Sequence, residues 1–217
     1  LLARRSSMLI FLSNFVKNQY FNKLSKKIPF GIAPQGSIDL IGTFKRKVHT
    51  HKPKLLFLGR VLEYKGLDIL LEAIDTLEDI KGLTVAGKFN YDIRYDNHRV
   101  KITNSYLSDE DLFNLLDEAD ILVLPYKEAS QSGIITLGIK AKIPMIITNV
   151  GGLPEQLDCE SGIICEPNAH SLRKGILTLV NSPELFNKIQ NSLEEKSNHL
   201  DQNWQKTAQI ILGQSYK

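Results

Sequence analysis

From Lys54 onward the apolar positions follow two alternating rhythms. Five short apolar runs have the length of strands buried on both faces: LLFL (55–58), LTVAG (83–87), Ile121–Leu124, Met145–Thr148 and Gly162–Cys165. Arg99 to Thr103 alternates in the manner of a half-buried strand. Between these runs apolar residues recur at helical spacing: Leu67, Ile69, Leu70, Leu71, Ala73, Ile74 and Leu77, then Leu112, Leu115, Leu116 and Ala119 behind the serine cap Ser108 and its acids Asp109, Glu110 and Asp111. A further helix opens near Ser132, and others are expected over 171–180, from Pro183 to about 198, and over 205–212 with Trp204 at its start. Strands alternating with helices through short turns predict an α/β fold, a parallel sheet with helices on both faces and right-handed crossovers. Ligands of such sheets bind outside the carboxyl ends of the strands.

The first fifty residues are less regular. Residues 8–12 read as a short strand followed by a helix, an amphipathic segment in which Phe15, Gln19 and Asn22 share spacing with Val16, Tyr20 and Lys23. IPFGIAPQGSIDLI (28–41) reads as a short strand and turn, and GTFKRKVHTHKPK (42–54) is cationic and aperiodic. That stretch is the expected boundary, dividing the chain into 1–50 and 51–217. Arg4, Arg5, Lys17, Lys23, Lys26 and Lys27 either attract an anionic membrane surface or form a solvated helix face. The chain begins at Leu1 and is read as a piece of a longer protein.

Composition narrows the class. A net charge of +3 on 217 residues, with a pI near 8.7, is too mild to argue for nucleic acid. No apolar run has the length of a membrane span, and no signal-peptide pattern is visible. Cys159 and Cys165 carry no metal-ligand spacing around them, so a reducing, cytoplasmic setting is expected, with the inner face of the cell membrane as the place of any peripheral contact.

Two turns carry candidate chemistry. Gly59-Arg60-Val61-Leu62-Glu63-Tyr64-Lys65-Gly66 puts two cations into a loop between a strand end and a helix start. They either bind an anion, Arg60 as a planar fork and Lys65 as a mobile point charge, or face water or pair with Glu63. Glu128-Ala129-Ser130-Gln131-Ser132-Gly133 follows the strand Ile121–Leu124, where the free N–H groups and dipole of a helix start favour a phosphate. Ser132 either donates to that phosphate or simply caps the helix.

On these motifs, LLFLGRVLEYKGLDILLEAI, ADILVLPYKEASQSGIITLGIKAKIPMIITNVGGLPE and SGIICEPN, the chain resembles the carboxyl-terminal domain of the GT-B, retaining glycosyltransferases of family 4, the glycosyl transferases group 1. The resemblance covers at least 54–217 and implies a Rossmann-like domain that binds a UDP- or GDP-sugar, with a carbohydrate or lipid-linked acceptor held by an amino-terminal domain of which 1–50 is a remnant. It implies that Arg60 and Lys65 hold the donor diphosphate beside Gly59, and that the backbone of Ser132, Gly133 and Ile134 also meets the phosphates. Tyr106 and Leu107 match the segment flanking the nucleobase, and the last helix matches one that packs back toward the amino-terminal domain. Family members carry two glutamates separated by seven residues; here Leu137 stands at the second position and Ala129 at the first, with Glu128 one place early. Glu128 either reaches the donor sugar or is a surface carboxylate beside Lys127.

The expected activity is therefore sugar transfer in polysaccharide or lipid-linked sugar synthesis, with no cofactor, no metal and no nucleic-acid partner. The alternatives are a non-catalytic sugar-nucleotide-binding or partner-binding domain and a GT-B sugar-nucleotide epimerase. The fragment alone is expected to be inactive. His49, His51, His98, His170 and His199 fall in linker or loop-like sequence and are expected at the surface.

Overall fold

The computed structural model describes residues 6, 8–23, 28–33, 35–38, 40 and 42–213. Arg4, Arg5, Lys26 and Lys27, four of the cations considered for membrane contact, lie outside them. Among the described residues two parallel sheets are present. The small one pairs β1 (Leu9–Phe11) with β2 (Phe30–Ile32), and α1 (Asn14–Lys23) connects them. Phe11, Tyr20, Phe21 and Phe30 pack their rings together at 5.3–6.3 Å between centroids, which seats α1 on this sheet although none of its residues is fully buried.

The large sheet has six strands: β3 (Lys54–Leu58), β4 (Gly82–Gly87), β5 (Val100–Asn104), β6 (Ile121–Leu124), β7 (Met145–Thr148) and β8 (Gly162–Cys165), in the spatial order β5-β4-β3-β6-β7-β8 with every pair parallel. The chain runs outward from β3 to β5, then returns to β6 and runs outward the other way. β3 and β6 are thus neighbours whose following loops diverge, the switch point at which open α/β sheets bind ligands. All residues of β6 and β7 are buried, as are 55–58 of β3, which is why the sequence shows unbroken apolar runs there. Burying each such side chain contributes roughly 1.5–3 kcal/mol.

Helices α2 (Leu67–Ile74), α3 (Asp109–Glu118), α4 (Gly133–Lys140), α5 (Leu153–Gln156), α6 (Ala169–Val180), α7 (Pro183–His199) and α8 (Gln202–Ile211) complete the fold. Ser108 and Asp111 form a reciprocal capping box at the start of α3. Arg173 of α6 donates to the carbonyls of Ala73 (2.8 Å) and Glu72 (3.0 Å), satisfying the carboxyl end of α2 across a helix pair. The aperiodic stretch after Gly42 is fixed to the large sheet's helices. Lys47, 7% exposed, donates to the carbonyls of Leu116 and Asp117 at the end of α3, Phe44 stacks on Phe113 at 4.7 Å, and Arg46 pairs with Glu194. α8 packs back on residues 35–37: Trp204 Nε1 donates to the Ser37 carbonyl at 2.8 Å and Asn203 to that of Gln35.

One expectation needs correcting. His49 is half-buried, with a ring nitrogen 2.7 Å from the Val180 carbonyl and its edge on Phe186, because the stretch that carries it is packed down; His51, His98, His170 and His199 are exposed as expected. Among the described residues no helix is long and apolar enough to cross a membrane.

Candidate functional site

The loop leaving β3 is held tightly. Val61 is fully buried and bridges to Phe89 beyond β4, and a 3-10 turn over Glu63–Lys65 ends at Gly66. Gly66 has φ +66°, and a Cβ there would lie 1.9 Å from the Pro125 carbonyl oxygen; only glycine permits this approach to the loop after β6. The turn swings Lys65 over the end of β6. Its Nζ stands 3.8 Å from the centroid of the Tyr126 ring and 5.6 Å from that of Tyr64. Burial, and secondarily the Arg60 guanidinium, lower the Lys65 pKa to about 8. Arg60 is exposed. Among the described residues neither cation forms an ion pair, so pairing with Glu63 is not realised. Two neighbouring cations, one of them desolvated, are left without a counter-charge.

The second turn is tied to the first through the same ring. Tyr126 is buried, and its hydroxyl lies 3.2 Å from Ser132 Oγ; burial raises its pKa, so it stays a neutral phenol. Thr148 of β7 donates to the Tyr126 carbonyl, and Lys127 N–H to that of Tyr64, joining the loop ends of β3, β6 and β7. Ser132 does cap α4, accepting from the Ile134 N–H at 3.3 Å. Gln156 of α5 grips its backbone from both sides, accepting from Ser132 N–H at 2.7 Å and donating to the Ser132 carbonyl at 3.1 Å. The Gly133 N–H is left as a donor at this helix start without an acceptor among the described residues, one of those no backbone carbonyl or side chain meets.

A cleft of about 590 Å³ opens beside these turns, walled by Phe15 and Gln19 of α1, by Tyr64, by residues 127–131 and by Gly151. Glu128 is exposed on its rim. It is not the partner of Lys127, whose ammonium bonds Asp68 at 2.7 Å. Arg60, Lys65 and Ser132 do not line this cleft themselves; Tyr64 connects it to them. A shallower hollow lies on the other side of that loop, between residues 62–64 and Asn90 and Tyr91.

The structure therefore brings Gly59, Arg60, Lys65, Glu128, Ser132, Gly133 and Ile134 to the ends of the two central neighbouring strands. Tyr106 and Leu107 follow the edge strand β5, two strand spacings from β3, roughly 10 Å. Tyr106 is 82% exposed, while Leu107 is half-buried against the core. Leu137 is 4% exposed and lies in the core on α4. Sequence reasoning missed Tyr126 and Gln156, which hold the site together. A tyrosine immediately after the Pro125 that ends β6 was the available signal for the first.

The family model described as glycosyl transferases group 1 matches residues 52–182, more than half of the chain and every residue of both turns. The chain belongs to that family. This group 1 chain is 26% identical over 191 residues to an uncharacterized glycosyltransferase of Methanocaldococcus jannaschii, covering 83% of the chain and 51% of the relative. Its fold superposes on sucrose-phosphate synthase from Thermosynechococcus elongatus with a TM-score of 0.72 at 19% identity, over 97% of this chain and 57% of that one. It also superposes on an S. aureus TarM variant in complex with fondaparinux, alpha-GlcNAc-glycerol and UDP, with a TM-score of 0.69 at 13% identity over 94% and 44%. The expected fold is borne out: the six-stranded sheet is the Rossmann-like sheet of GT-B glycosyltransferases. The chain spans about half the length of the curated relative it matches.

Proposed function

We propose that this chain supplies the donor-diphosphate site of a retaining glycosyltransferase of family 4 that moves a hexose from a UDP- or GDP-sugar to a polysaccharide or lipid-linked acceptor. The observation that carries the reading is the pair Arg60 and Lys65, two cations without a carboxylate at the switch point of the sheet, one of them held 3.8 Å above an aromatic ring. The partly buried Lys65 ammonium is costly to leave uncompensated unless an anion completes it. A diphosphate between the cations and the Gly133 N–H is met by a fork, a point charge and a helix-start donor. As the bond from the sugar to the diphosphate breaks, negative charge grows on the departing phosphate oxygen, and these fixed groups stabilise it without reorganising. They bind, orient and neutralise the leaving group; the reading routes no step through a metal.

The rest of the donor extends from there. Glu128 on the cleft rim faces the sugar, and Tyr106 and Leu107, two strands out from β3 beyond the edge strand β5, flank the base. The division at residue 50, with the acceptor held largely by an amino-terminal domain, and work on the cytoplasmic face of a membrane belong to the same proposal. The complex of the structural neighbour TarM with UDP supports the nucleotide class.

Selective acylation tests this reading. An amine with a pKa near 8 is substantially unprotonated at pH 8, so a limiting acylating reagent modifies Lys65 ahead of the exposed lysines. Saturating UDP or GDP protects it. Lys65 acylated equally fast with and without either nucleotide would remove the diphosphate from this site.

A further inference from the structure

The cleft has one wall that belongs to the first fifty residues, and a single carboxylate holds it. Glu155 of α5 accepts two backbone hydrogen bonds at 2.7 Å each, Oε2 from the Asn14 N–H and Oε1 from the Phe15 N–H. These are the first two free donors of α1. The next is met by Ser13, whose Oγ accepts from the Val16 N–H at 3.2 Å and donates to the Ser130 carbonyl at 3.5 Å. The start of α1 is thus capped partly from within and partly by a residue about 140 positions away.

Close approach makes this possible. A Cβ on Gly152 would lie 2.1 Å from the Ser130 carbonyl oxygen and 3.0 Å from Ser13 Oγ, and one on Gly151 (φ +56°) 1.6 Å from the Ala129 carbonyl oxygen. The two glycines let α5 sit directly under the turn at 129–132. From there adjacent residues reach in two directions, Glu155 to α1 and Gln156 to both backbone groups of Ser132. Phe15, whose N–H Glu155 holds, and Gln19 one helical turn on are the α1 side chains that line the cleft.

We propose that Glu155 is a positioning residue for the transfer reaction: it fixes the α1 wall of the cleft to the helix that grips Ser132, so that occupancy of the diphosphate site and the seating of α1 are coupled. The inference rests on the reading of the site given above. Its energetic route is a carboxylate at a helix start, where charge and hydrogen bonding act together. Removing it leaves two N–H groups without their acceptor and frees the wall to move.

The test combines amide hydrogen exchange at residues 14 and 15 with calorimetric titration of UDP and GDP into this chain and its Glu155→Ala and Glu155→Gln variants. In the unaltered chain these amides are protected, and the bound diphosphate protects them further. In Glu155→Ala they exchange at least about tenfold faster and the diphosphate binds roughly fivefold more weakly, with no effect of ligand on exchange. Glu155→Gln, which keeps an acceptor oxygen and loses the charge, falls between the two. Freed amides with unchanged diphosphate affinity would reduce Glu155 to a structural cap and overturn the coupling. Unprotected amides in the unaltered chain would show that the contact does not hold in solution. Failure of the unaltered chain to bind either diphosphate, with the amides protected, would overturn the functional reading itself.

Discussion

The ammonium of Lys65 lies 3.8 Å from the centre of the Tyr126 ring, whose hydroxyl is 3.2 Å from Ser132 Oγ. One buried side chain therefore positions both halves of the candidate diphosphate site. A carboxylate beside Lys65 would hold it as well, but it would cancel the charge an anionic ligand needs. The face of an aromatic ring orients an ammonium and contributes about 0.5–2 kcal/mol while leaving its net charge intact. That choice links the local structure to the proposed chemistry.

The Tyr126 ring and hydroxyl are separable. Tyr126→Phe keeps the face under Lys65 and loses only the contact with Ser132, so diphosphate affinity changes by less than about threefold and stability falls by roughly 1 kcal/mol. Tyr126→Leu removes the face, and affinity falls by roughly five- to tenfold. Calorimetric titration beside urea denaturation reads both; equal affinities in the two variants would deny the ring its part.

Proton binding to Lys65 gives two opposite pH dependences. Its folded pKa of about 8 lies below the ordinary 10.5, so between those values the unfolded chain holds the proton that the folded chain has released. The contribution of Lys65 to the stability of the ligand-free chain is thus flat below about 8 and rises with pH from there to 10.5. Diphosphate binding runs the other way, since the anion needs the ammonium: affinity is flat below about pH 8 and declines above it. Titrations from about pH 6.5 to 9.5 show the decline in the unaltered chain and not in Lys65→Arg, whose charge persists throughout.

Lys47 joins the stretch after Gly42 to the end of α3. Its ammonium meets two helix-terminal carbonyls while burial lowers its pKa. Lys47→Met keeps most of the apolar stem but leaves both carbonyls without this donor. A loss of about 1–3 kcal/mol in urea denaturation is expected, with diphosphate affinity unaltered.

The resemblance to the family 4 glycosyltransferases aligns Leu137 with their second glutamate. Here it is buried in the core, so restoring the carboxylate is expected to harm the fold before it helps the site. Leu137→Glu lowers stability by about 3 kcal/mol or more and leaves nucleoside-diphosphate affinity no tighter. A variant as stable as the parent that binds more tightly would show that the helix turns this position toward the ligand.

The strands of the large sheet were legible because a strand buried on both faces reads as an unbroken apolar run, and 55–58, Ile121–Leu124 and Met145–Thr148 are such runs. Helix α5 was not: four residues opened by Gly151, Gly152 and Pro154 look like a turn, and their helical state depends on packing against Ala129 and Ser130. The anchoring of Lys47 was equally hidden, since its acceptors are main-chain carbonyls some seventy residues away. Arg60, Lys65 and the helix start at Ser132 could be found from loop composition alone. Gln156 and Glu155 could not, because each acts through a partner that only the folded chain brings near, and for Tyr126 only its place directly after the strand hinted at a role.

The most direct test of the diphosphate site is calorimetric titration of this chain with UDP and GDP, each beside its monophosphate, repeated in Arg60→Ala and Lys65→Ala. Both cations sit in a loop, so both variants are expected to keep the fold, as circular dichroism will show. Binding of one diphosphate that is lost with the second phosphate, and is roughly tenfold or more weaker in each variant, is the predicted result. Equal binding of mono- and diphosphate, or affinities unchanged in both variants, would contradict it.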